Sequence, residues 1–160
     1  MSSQPIPLGR SILGMFAGYV LSVVLLMFLV GLCYIELGSE GVFVANSYRD
    51  TSLFEILKLA CGCVAGIAAG WLAVRIGGMR AAVMLAVLMA VTGLVNGTIT
   101  WSKQESRKEP WLERGPGPVN FILATENTQS SPFYIFSLPF VGLVGSLAGG
   151  ALCAAIQRRR

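Results

Sequence analysis

Histidine is absent from all 160 residues, which removes histidine-ligated haem or chlorophyll, the usual zinc sites and any histidine-based triad. Charge is scarce too: Asp, Glu, Lys and Arg together make up 12% of the chain, where a soluble domain carries about a quarter. No Walker loop, dinucleotide fingerprint or nucleophile elbow occurs, because the glycines fall inside long apolar segments rather than at strand-to-helix turns. The carboxylates all lie in or beside polar loops, which leaves no paired acid for general acid–base work. The chain is therefore read as non-enzymatic, with no catalytic residue, metal or cofactor.

What it has in quantity is hydrocarbon. With 54% hydrophobic residues, its solvent is expected to be a bilayer. Four apolar stretches, at about 12–35, 53–76, 81–101 and 133–156, reach or approach the roughly 20 residues that cross about 30 Å as a helix. The expected fold is all-α: one polytopic membrane domain over 1–160, a four-transmembrane-helix bundle with a tight turn at 77–80 and outer loops at 36–52 and 102–132. Arg10 ahead of the first stretch resembles a secretory signal, but the run is too long and no small-x-small site follows it, so it is read as a retained helix.

Charge placement sets the expected orientation. Arg10, Arg75, Arg80, Arg158, Arg159 and Arg160 share one side of an alternating bundle without an acidic residue, whereas the opposite side mixes both signs in longer loops. Short basic clusters mark the cytoplasmic side, so both termini are expected in the cytoplasm, in a bacterial inner membrane. The net charge of +4 then forms a basic rim facing anionic lipid and gives no reason to invoke nucleic acid.

Small residues recur every fourth position and predict helix packing, because removal of side-chain bulk lets backbones approach. Gly14 and Gly18 form such a face in the first stretch, followed by Ser22. Gly62, Gly66 and Gly70 form it in the second, with Ala65, Ala69 and Ala73 beside them, and Leu59, Val64, Ile67, Trp71 and Val74 on the side left for lipid or larger partners. Gly93 and Gly97 follow in the third, and Gly142, Ser146 and Gly150 in the fourth. A shift of 80 residues aligns Gly62 with Gly142 and Gly70 with Gly150, a pattern compatible with a duplicated hairpin.

Polar residues within or bordering the apolar stretches are few. Thr51 or Ser52 is the expected cap of the second helix; Glu55 stands three residues after Ser52, the capping-box spacing, and three before Lys58, so Glu55 and Lys58 read either as a cap with a snorkelling lysine or as an ion site opening outward. Thr92 and Asn96 make the third stretch polar toward its outer end; Asn96 reads either as interhelical glue or as part of a solute pathway. Pro139 is expected to kink the last helix. In the long loop, Trp101, Trp111 and 121–123 predict a lid on the membrane surface or against another protein, and the run 42–45 could dip back into the bilayer. Of the four cysteines, Cys61 and Cys63 point about 200° apart on a helix, and Cys33 is expected at a shallower level than Cys61, unsuited to a disulfide. All four read as small hydrophobes.

A second helix of the form Gly-x-x-x-Gly-x-x-x-Gly-x-Leu-Ala at 62–73, a short basic turn and a final Leu147-Ala148-Gly149-Gly150 together resemble a broad group of uncharacterised small four-helix bacterial inner-membrane proteins. That resemblance implies the bundle and carries no activity. With a small face on every helix, the leading expectation is an accessory or scaffold subunit whose partners are membrane lipids and other integral membrane subunits or itself. The alternative is a small oligomeric transporter or channel using Glu55, Lys58, Thr92 and Asn96 as a polar pathway.

Overall fold

The structure, a computed structural model, describes residues 7–106 and 119–159. It is all-α, with four helices among the described residues: α1 (Leu8–Val42), α2 (Ser52–Ser106), α3 (Phe121–Asn127) and α4 (Pro132–Arg158). α1, α2 and α4 are long and apolar enough to cross a membrane, which suggests a membrane protein. Trp111 lies outside the described residues.

The stretches expected at 53–76 and 81–101 are one element, α2, interrupted only at Gly78. There φ is 73° and ψ −177°, a conformation open almost only to glycine. One residue suffices to double the helix back into two arms of about 26 residues, each about 40 Å long. Ala69 and Ala73 of the first arm then meet Ala81 and Leu85 of the second in one buried cluster.

α1 and α4 pack along this hairpin. Ser11 donates from Oγ to the Gly77 carbonyl at 3.0 Å, and Gly18 faces the Ala69 carbonyl and Leu85, so α1 runs antiparallel to the first arm. α4 runs parallel to it: Gly62 faces Leu138, Gly66 faces the Gly142 carbonyl, and a Cβ at Gly70 would overlap the Ser146 backbone. Along the second arm, Gly93 meets Pro139 and Gly97 meets Ile135. The glycine row of the first arm thus takes α4 while its alanine row takes α1. Val74, expected to face outward, is buried with Ala82 and Cys153, and Gly149 lies on the Ile67 carbonyl.

α1 does not stop at Ile35. It runs on through Leu37, about 45 Å of helix that overshoots a hydrocarbon core of about 30 Å, and after a break at Gly38 (φ 64°) closes with a short last turn to Val42. Its end carries Tyr34, Val42 and Phe43 into a small aromatic core with Tyr48, Phe54 and Ala124. Of the 42–45 run, Val42 and Phe43 are buried in this cap while Val44 and Ala45 are exposed. In the cap the Tyr34 hydroxyl donates to the Val119 carbonyl at 2.6 Å, and the Tyr34 and Phe121 rings meet edge to face at 5.3 Å. α3 is held against the protein by Phe121 and Ala124, while Ile122 and Leu123 stay exposed.

Candidate functional site

Two features meet beneath this cap: a buried ionic knot and a central crevice. The knot forms because residues 43–50 fold back as a short turn, with Asn46 at φ 58°, and pair with 128–131. The Asp50 N–H donates to the Gln129 carbonyl, and the Gln129 N–H to the Tyr48 carbonyl. This brings the Asp50 carboxylate to Lys58 Nζ at 2.5 Å, with side-chain exposures of 0% and 8%. Ions so removed from water need every donor and acceptor met. Ser130 Oγ donates to Asp50 Oδ2, Thr128 Oγ1 donates to Oδ1 at 3.1 Å, and Lys58 also donates to Ser130 Oγ at 3.0 Å. The ammonium lies 4.0 Å from the centre of the Tyr134 ring and 5.0 Å from that of Phe54, where aromatic faces attract a cation.

Glu55 and Lys58 consequently do not pair with one another. Glu55 turns to α4, accepting from the Ser131 backbone N–H and from Ser131 Oγ at 2.7 Å, so it supports the N-terminus of another helix, where a carboxylate is favoured. The cap of α2 is Thr51, whose Oγ1 accepts from the Phe54 N–H at 3.3 Å, in place of a Ser52–Glu55 box. Asp50, Thr128, Ser130, Ser131 and Tyr134 have no helical spacing to Lys58, because four of them arrive from a loop and helix 70 or more positions away. The readable signal was Ser131 before Pro132, an N-cap followed by proline at the first position.

Below the knot lies a crevice of about 450 Å³ bounded by α1, both arms of α2 and α4, with Thr125 and Thr128 of the lid above it. Its walls are Tyr19, Val23 and Leu26 of α1, Ala65 and Met89 of α2, and Leu138, Pro139 and Gly142 of α4. Its polar lining includes Lys58, Thr92, Asn96, Thr100 and Ser130 toward the acidic end of the bundle and Ser22 midway along α1. Three of the four residues of the sequence-predicted polar pathway, Lys58, Thr92 and Asn96, therefore line one space, and Glu55 does not. Thr92 Oγ1 bonds its own helix at the Leu88 carbonyl, 2.7 Å away. Asn96 is exposed and forms no side-chain bond to another helix among the described residues, so the glue reading is not what the packing shows. Pro139 has no N–H, so the Ile135 carbonyl loses its helical donor; that carbonyl faces Gly97, beside Asn96.

Gly62, Gly93, Gly97 and Gly142 border the crevice where they pack against Leu138, Pro139, Ile135 and Met89, which line it with them. No group of three or more potential metal ligands occurs among the described residues. Comparison with protein-family models, curated proteins and solved structures finds no match to this chain.

Proposed function

We propose that this chain is a non-enzymatic integral membrane protein of the small transporter or channel class, which takes an amphiphilic solute into the central crevice. The observation that carries this reading is the crevice itself: about 450 Å³, within the range of small-molecule sites, apolar along its walls and polar at one end. Its polar end offers an amide at Asn96 and a hydroxyl at Thr100, which hydrogen-bond a neutral polar head. The Lys58 charge is already matched by Asp50, so a solute without strong net charge is favoured. In this reading the α2 hairpin and its neighbours cross the bilayer four times, the basic end with both termini faces the cytoplasm, and the capped acidic end faces outward. Reconstituted liposomes test it: release of an encapsulated panel of neutral and weakly polar solutes should fall at least tenfold with Asn96→Leu. Equal release by the variant and the native chain across the panel sinks the pathway.

The accessory-subunit reading is supported by a different surface. The small faces that motivated it are occupied by this chain's own helices, but an apolar groove lined by Leu21, Val64, Ile67, Trp71 and Leu152 stays open along the first arm of α2. Stoichiometric co-extraction of larger, different subunits in mild detergent would favour that reading; a homogeneous small particle would favour the transporter.

A further inference from the structure

Cys33 lies nine residues before the end of α1 and Cys61 nine residues after the start of α2. The two helices are antiparallel and both thiols come to the same level, contrary to the offset expected when α1 is ended at residue 35. Their Sγ atoms are 3.9 Å apart. Both thiols are free and half-buried, one helical turn inward of Lys58 on α2 and of Glu36 on α1. The other two cysteines do not compete: Cys63 sits on a different side of α2, its carbonyl against Gly145, and Cys153 is buried with Val74 and Ala82.

We propose that Cys33 and Cys61 form a redox modification site, closing reversibly to an intramolecular disulfide that staples α1 to α2. A disulfide places its sulfurs about 2.05 Å apart, so closure asks for an approach of about 2 Å, shared between two side chains that each turn about a single torsion. The oxidant is a bilayer-soluble two-electron hydrogen acceptor of the quinone or diazene class, as the apolar level of the pair requires. Two S–H bonds break and one S–S bond forms. The two protons and two electrons pass to the acceptor, giving the hydroquinone or hydrazine, and an added dithiol reverses the step. The staple closes over the segment that carries Asp50 and stands independently of whether the crevice holds a solute.

The test uses the full chain in native membranes, treated with diamide, a membrane-permeable diazene, then denatured and labelled with a polyethylene-glycol maleimide that shifts the gel band once per free thiol. The native chain should fall from four labels to two, as a monomer, and return to four after dithiothreitol. Cys63→Ser and Cys153→Ser should each fall from three to one, whereas Cys33→Ser and Cys61→Ser should stay at three. Retention of four labels by the oxidised native chain, loss of labels in Cys33→Ser, or oxidation appearing only as linked dimers would each overturn the assignment.

Discussion

Removing Asp50 tests whether the ionic knot holds the cap onto the bundle. Asp50→Ala takes away the partner of a lysine that is 8% exposed and the acceptor of two hydroxyl donors. Breaking a buried pair by deleting one member costs about 3–5 kcal/mol. Lys58 keeps Ser130 Oγ at 3.0 Å and the Tyr134 ring at 4.0 Å, so the lower end, about 3 kcal/mol, is expected. Lys58→Met should cost less, about 2 kcal/mol, because the carboxylate retains two hydroxyl donors. The double variant Asp50→Ala with Lys58→Met removes both charges and should recover about 1–2 kcal/mol relative to Asp50→Ala, since neither ion then needs a partner. Reversible unfolding in mixed micelles, followed by circular dichroism, gives all three values and hence the coupling. A loss below about 1 kcal/mol for Asp50→Ala, or additive single and double variants, would refute a desolvated pair and leave a solvated surface contact.

Three further outcomes follow from the packing. Gly70→Leu should abolish the monodisperse folded species in size-exclusion chromatography, since even its Cβ overlaps the Ser146 backbone; Gly31→Leu, which meets nothing within 4 Å, should elute as the native chain does. Gly78→Val forces a β-branched residue to φ 73° and should destabilise by about 1–3 kcal/mol in the same micelle titration, whereas Gly9→Ala should move it by less than about 0.5 kcal/mol. Glu55→Gln keeps the shape and one acceptor oxygen but loses the charge and the second acceptor, so a cost of about 1 kcal/mol is expected, with the release of trapped solute unchanged because Glu55 does not line the crevice. Altered release in that variant would move the pathway.

Much of the helix packing was legible because period-four small residues have one mechanical use, close backbone approach. Which helix would fill each face was not. Glycine and alanine rows lie about 100° apart on one helix, and only the hairpin at Gly78 decides that α4 takes one and α1 the other. The crevice was half legible: Thr92 and Asn96 stood out as polar groups in an apolar run, but their gathering with Lys58 depends on the two arms of α2 lying side by side with α4. The ionic knot was least legible, because Asp50 and Ser130 are 80 residues apart and no local period links them.

The amino-acid sequence by itself determined the all-α class, the lengths that suit a bilayer and the segregation of unmatched arginines to one end, because hydropathy, helix rise and charge act locally along the chain. Tertiary structure alone decided that Asp50 neutralises Lys58, that Glu55 serves α4, that Cys33 meets Cys61 and that a polar-headed crevice remains open. Each depends on the relative height of two helices, and that height follows from where α1 ends and where α2 folds back, which no single segment encodes.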